Sequence, residues 1–341
     1  MNSWERIEAA VRFERGDRTP VFVICRFVLL KQANLPLPGT ILDARRTADL
    51  EIEGRRRFGW DFVYGRTYYP FEEEAIGATA QFREDTAPSI IPPYTIRTEE
   101  DIHRIDPEKV RRTRGLEMEH RLVAELARRL AGEAHIMGYC QGPLRLAGQL
   151  RGLQQMLLDM VVEPDFVHRL LAATTEVCIL RALSALEAGA RFIFIGEAPA
   201  SGDMISPNLY EEMALPVHQR LVRAIQEAGG RAVLHICGKS QRQVPLMART
   251  GADVLSVDSG VDLAEAREMV GRQALLLGNV DTINGMLRGS QEEVEAEARR
   301  CIQKAGTEGG FILSPGCNVP GNTPVENLHA ICRAAEAGFP G

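Results

Sequence analysis

No apolar run in this 341-residue chain approaches the roughly 20 residues that a membrane-spanning helix needs. The opening residues Met1-Asn2-Ser3-Trp4-Glu5-Arg6 lack the basic-then-apolar order of a secretory leader. Together these absences predict a cytoplasmic protein with no membrane partner. Basic charge is not in excess: 40 Lys and Arg stand against 46 Asp and Glu, a net charge of −6. A mildly acidic surface has no general attraction for nucleic acid or anionic lipid, so no nucleic-acid partner is expected. A disulfide framework is missing as well. The seven cysteines (Cys25, Cys140, Cys178, Cys237, Cys301, Cys317 and Cys332) are odd in number and widely scattered. Their default state is reduced and buried, as small apolar side chains.

Short apolar runs alternate with longer amphipathic stretches. The runs are residues 20–25, 60–64, 135–139, 191–195, 232–236, 253–257, 274–277 and 310–313. Each reads as a strand buried on both faces, as a parallel sheet requires. Strand, loop and helix repeat regularly after Arg191, the rhythm of βαβ units. The fold class is therefore α/β, and eight candidate strands favour a single (β/α)8 TIM barrel over an open sheet. An N-terminal extension precedes the barrel. Residues 68–106 have no helical period and contain Gly77, Pro88, Pro92 and Pro93. They read as an irregular insertion after strand 2, a small hairpin with a long loop. With no linker, residues 1–341 read as one domain. Helix starts are marked at Ser206-Pro207, an N-cap followed by proline, and at Thr323-Pro324-Val325-Glu326, a capping box.

The chemistry concentrates at strand ends. His235-Ile236-Cys237-Gly238 is a strand running into a glycine turn, and residues i and i+2 of a strand share a face. An imidazole and a thiolate at the carboxyl end of a barrel strand make half of a zinc site. Cys317, in Ser314-Pro315-Gly316-Cys317-Asn318-Val319-Pro320, follows the last strand and reaches the same rim. Three protein ligands and one open position define a catalytic zinc. The competing reading of the His-x-Cys pair is ordinary core packing, and spacing alone leaves both open.

The chain resembles the uroporphyrinogen decarboxylase superfamily, and within it the methylcobamide:coenzyme M methyltransferase branch. The motifs that carry the resemblance are Arg18-Thr19-Pro20-Val21, Ala200-Ser201-Gly202-Asp203-Met204-Ile205-Ser206-Pro207, His235-Ile236-Cys237-Gly238, Gly278-Asn279-Val280-Asp281, the Cys317 segment, and Thr323-Pro324-Val325-Glu326-Asn327. The resemblance implies that His235, Cys237 and Cys317 bind Zn2+. It implies a methyl group carried by a small corrinoid-binding partner protein. It also implies a small-molecule methyl acceptor: a coenzyme M-like thiol, homocysteine or tetrahydrofolate. Two thiolates and a neutral imidazole cancel the ion's charge, so an added substrate thiolate keeps its nucleophilicity. The alternative is uroporphyrinogen decarboxylase itself. It fits less well, because residues 22–30 offer mainly Arg26 to a tetrapyrrole bearing many carboxylates.

Further rim residues are candidates. Glu197, where related sequences often carry aspartate, is expected to act catalytically as a displaceable fourth ligand or acceptor contact; otherwise it caps the next loop. Lys239 is a candidate partner for an anionic group on the acceptor, or else a solvated lysine. Asp258 and Asn279, and less so Asp281, are expected to contact substrate, with turn formation as the alternative. His135 reads as a satisfied structural histidine, His218 and His329 as surface or packing residues, and Cys140 as an inert thiol.

Overall fold

The computed structural model describes residues 1–83, 86–306 and 309–336. In chain order the strands are β1 (Phe62–Gly65), β2 (Thr79–Gln81), β3 (Ser89–Ile91), β4 (His135–Gln141), β5 (Phe192–Gly196), β6 (Arg231–Ile236), β7 (Val254–Val257), β8 (Leu275–Val280) and β9 (Phe311–Pro315). Seven of them form one parallel sheet in the order β1-β4-β5-β6-β7-β8-β9, and helices fill most of the crossovers. β2 and β3 pair antiparallel within the 68–106 segment, after a short helix Phe71–Ala75. Residues 84 and 85 of that segment lie outside the described residues.

The sheet curls, and its two faces bury separate apolar clusters. One face turns Phe62, Tyr64, Phe192, Phe194, Leu277 and Ile312 towards one another. The other packs Val63, Ile193, Ile195, Leu234, Leu255 and Leu276 against the helices. Side chains alternate between faces along each strand, so the near-continuous apolar runs are explained by burial on both sides.

One expected strand is corrected. Among the described residues, 20–25 forms no regular strand, and its only bridge is Val21 to Leu313. Pro20 has no N–H to donate, and the Val21 N–H goes to the Asp61 carboxylate instead. At Arg26 the chain has already turned into a helix, Arg26–Gln32. Residues 20–22 nonetheless lie between the sheet's two edges. The Leu313 N–H donates to the Pro20 carbonyl, the Phe22 N–H to the Leu313 carbonyl, and the Asp61 N–H to the Val21 carbonyl.

Helix starts followed the sequence in one case and not in another. Ser206 caps its helix by accepting from the Leu209 N–H. The Thr323 hydroxyl makes no hydrogen bond, and the last helix is Val325–Glu336. The expected capping box there is therefore not formed. Among the described residues no helix is long and apolar enough to cross a membrane.

Candidate metal centre

His235 is the inward-facing residue near the end of β6. Its ring lies 5.0 Å from that of Phe194 on β5. The strand register sets Ser256 of β7 directly beside it, and Ser256 Oγ is 3.0 Å from His235 Nδ1. That contact leaves Nε2 turned to Cys237 Sγ, 3.0 Å away. Sequence reading missed Ser256, although its place one strand over in the inward row was the available signal.

Two glycines bring Cys317 to the pair. Gly238 has φ +71, a left-handed turn that lets the chain leave the strand directly after Cys237. A Cβ there would also meet Asp203 Oδ2 at 2.4 Å. Gly316 packs onto the turn after β7; its Cβ would lie 2.5 Å from Asp258 Oδ1 and 2.8 Å from the Ser259 nitrogen. Beyond it, the Val319 N–H donates to the Ile24 carbonyl. The outcome is a Cys237–Cys317 Sγ separation of 3.7 Å, with the ligand atoms of His235, Cys237 and Cys317 all within 4.8 Å of one another.

This donor set suits zinc. A tetrahedral ion with bonds of about 2.3 Å to sulfur and about 2.0 Å to nitrogen spaces two sulfurs about 3.8 Å apart and a sulfur and nitrogen about 3.5 Å apart. The sulfurs already stand at that spacing, and Nε2 lies somewhat nearer to Cys237 Sγ than the tetrahedral spacing, at 3.0 Å. Within the trio Cys317 is held low, first by the hydrogen bond from Cys237 and then by His235. Cys237 is pushed up by the same contact and by burial.

The other candidates are placed differently. The Glu197 carboxylate is enclosed and does not join the trio. It accepts from the Leu144 N–H at 3.1 Å, the Arg145 N–H at 2.7 Å and His218 Nε2 at 3.0 Å. His218, expected at the surface or in packing, is instead a buried polar link, with Nδ1 3.0 Å from the Tyr210 hydroxyl. Asp258 accepts from the Gly238 and Ser259 N–H groups, so it ties the turn after Cys237 to the turn on which Gly316 packs. The Asn279 side-chain amide donates to the Asp258 and Val261 carbonyls. Asp281 accepts from the Ile283 and Asn284 N–H groups. Lys239 is exposed and lines a 480 Å³ depression with Asp203, Met204 and Arg242, away from the trio's ligand atoms. A larger groove of 840 Å³ borders the centre at Asn318, and Phe27, Leu30, Leu35, Leu287, Val319 and Pro320 give it a largely apolar wall.

The family described as uroporphyrinogen decarboxylase (URO-D) matches residues 2–338. A methylated-thiol--coenzyme M methyltransferase of Methanosarcina mazei is 28% identical over 309 residues, 90% of this chain and 81% of that protein. A methylcobamide:CoM methyltransferase, MtbA, of Methanosarcina acetivorans is 28% identical over 97% of both chains. A uroporphyrinogen decarboxylase of Trichodesmium erythraeum is 31% identical over 77% of this chain and 73% of its own. A solved methyltransferase structure from Methanosarcina mazei superposes with a TM-score of 0.87 at 24% identity, covering 99% of each chain, and so shares the fold. With a family match that runs almost from end to end, the chain belongs to the uroporphyrinogen decarboxylase family.

Proposed function

We propose that this protein is a zinc-dependent methyltransferase that moves a methyl group between a corrinoid, carried by a small partner protein, and a thiol or similar acceptor. The observation that carries the reading is the convergence of one imidazole nitrogen and two sulfurs at the mouth of the curled sheet. Relatives named as methylcobamide:CoM methyltransferases, one aligned over 97% of the chain, support it. We read residues 20–24 as the eighth member that closes the sheet into a barrel, and residues 1–341 as one domain. Coenzyme M-like thiols, homocysteine and tetrahydrofolate are the acceptor classes.

His235, Cys237 and Cys317 would hold the ion, which when bound supplies a Lewis-acidic position that lowers the pKa of an incoming thiol. The chain's own residues do the positioning. Ser256 orients the imidazole through Nδ1, and Asp258 ties the Gly238 turn to the loop against which Gly316 packs. The apolar groove lined by Asn318, the chain neighbour of Cys317, is the place we assign to the macrocycle. The residues left for direct acceptor contact are Lys239, Asp258 and Asn279, of which the last two already carry structural bonds. A fourth-ligand role for Glu197 would require its three hydrogen bonds to be given up.

Uroporphyrinogen decarboxylation is the second reading, favoured by relatives of that name. The Arg26 guanidinium, the cation that reading would call on, is instead buried against Glu51 and the Tyr64 carbonyl.

Elemental analysis of the purified protein should find about one zinc per chain, and Cys317→Ser should weaken metal retention by at least about tenfold. Methylcobalamin with a panel of thiols should give methyl transfer that falls with metal content. A metal-free protein whose activity is indifferent to Cys237→Ala would overturn the assignment.

A further inference from the structure

The helix Leu153–Val162 is apolar around most of its circumference. Met156 and Met160 are buried where it packs against the helices Pro143–Arg151 and Pro164–Glu187. Its outer side is apolar as well. The three most exposed large apolar side chains among the described residues all stand there: Val161 at 70%, Val162 at 62% and Leu158 at 57%. Their spacing of three and four residues sets them in one stripe. The helix has a single charged residue, Asp159, and it is buried, accepting from Arg151 and from Gln155, each at 2.7 Å. A surface helix is built the other way round, with its charges outward. A contiguous apolar stripe without charge marks a contact surface.

A groove of 620 Å³ lies beside the first half of this helix, between it and residues 92–97, with Pro92, Pro93, Tyr94, Leu153 and Leu158 in its lining. The groove is braced. Arg151 donates to the Ile96 and Arg97 carbonyls, and the Tyr94 ring packs so closely on Gly152 that a Cβ there would stand 2.6 Å from it. Arg97 is exposed on the wall of the groove. Just past the other end of the helix stand Glu163 and Asp165, both exposed. Among the described residues none of these three belongs to an ion pair.

The face is therefore complementary to itself. One end offers a groove and a cation, the other a valine ridge and two carboxylates. A second copy turned end over end about a two-fold axis near Leu158 lays ridge on groove and acid on base at both ends. A membrane surface fits less well, because a lipid-facing helix is flanked by basic residues, and glutamines and carboxylates flank this stripe. A ten-residue helix presents a face about 15 Å long and about 10–12 Å across. Even with the groove, that falls short of the roughly 800 Å² per partner of a standard stable interface, so the contact suits a reversible dimer.

We propose that the helix Leu153–Val162 joins two copies of this chain, antiparallel to its counterpart, with Val161 and Val162 of each copy seated in the groove of the other and Glu163 of each opposite Arg97 of the other.

Sedimentation velocity of the full chain between about 1 and about 200 μM should show a monomer–dimer equilibrium with a dissociation constant in the micromolar range. Val161→Lys should raise that constant by at least about tenfold. Lysine favours a helix more than valine does, so this variant should fold and keep its urea midpoint. Charge reversal reads the geometry. Arg97→Glu sets like charges opposite each other at both ends, as does Glu163→Arg, and each alone should weaken the dimer about three- to tenfold. In an equimolar mixture of these two variants the mixed dimer has both pairs restored, with polarity reversed at one end, and should recover the parent affinity. The proposal falls if the protein stays monomeric up to about 200 μM, if Val161→Lys leaves a dimer intact, or if the mixture associates no better than either variant alone. A monomer that instead binds phosphatidylglycerol vesicles, and loses them in Val161→Lys, would give the face to a membrane and overturn the proposal as well.

Discussion

His135 stacks on Trp4 with ring centroids 3.8 Å apart and planes 20° from parallel, at the end of the sheet opposite the metal centre. It was expected to be satisfied, but neither ring nitrogen makes a hydrogen bond. Glu8 Oε1 comes within 3.2 Å of Nε2, yet that carboxylate is held by Arg231 and the approach is not aligned for a bond. Burial first, then Arg231 and Arg191, lowers its pKa to about 3. In the unfolded chain the same ring titrates near pH 6.5. As pH falls the unfolded state takes up the proton first, so stability declines from about pH 6.5 downwards until pH passes about 3. Between pH 6.5 and 5 the loss should be roughly 1–2 kcal/mol. His135→Phe keeps the stack and removes the titration, so urea unfolding should show a shallower acid slope. Equal slopes in the two proteins would refute this account.

At the scale of elements, Glu197 shows how one side chain joins three of them. It directly follows β5, neutralises the positive end of the helix Pro143–Arg151, and holds His218 of the helix Leu215–Glu227. Gly142 must be glycine there, since a Cβ would come within 2.0 Å of the carboxylate. Glu197→Ala strips partners from two backbone N–H groups and a buried imidazole, and should destabilise by about 3 kcal/mol in chemical denaturation. Native stability combined with a loss of bound metal would reverse that reading and restore Glu197 as a ligand. The strands from 135 onward were legible because doubly buried runs are distinctive. The 20–25 segment was not, because its pairing is decided by a proline and by a side chain 40 residues away. The fate of Glu197 was equally hidden, since its partners come from helices distant in sequence.

For the whole molecule, Asp61 is the clasp at the seam of the sheet. Its carboxylate is enclosed and accepts from Arg6, Arg18, the Ser3 hydroxyl and the Val21 N–H, while its own N–H donates to the Val21 carbonyl. The N-terminal helix Ser3–Val11 and the 20–22 segment are thereby tied to the start of β1. Removing one partner of a buried ion cluster leaves the others uncompensated. Asp61→Ala should therefore lower stability by about 3–5 kcal/mol, readable as a shift in the urea midpoint. A shift below about 1 kcal/mol would show that the seam is held by packing alone.

The sequence by itself determined the class of fold, the order of the parallel strands after residue 135, and the two halves of the candidate metal centre. These rest on local rules: period two along a strand, burial on both faces, and glycine where the chain must turn. Tertiary structure alone decided that Cys317 lies 3.7 Å from Cys237, 80 residues earlier, because the Gly316 turn packs on Asp258. It also decided that Glu197 is consumed by a helix end, and that the Arg66 guanidinium lies over the Tyr68 and Tyr139 rings. Such pairings depend on which side chains the curl of the sheet brings face to face, and no spacing along the chain encodes that.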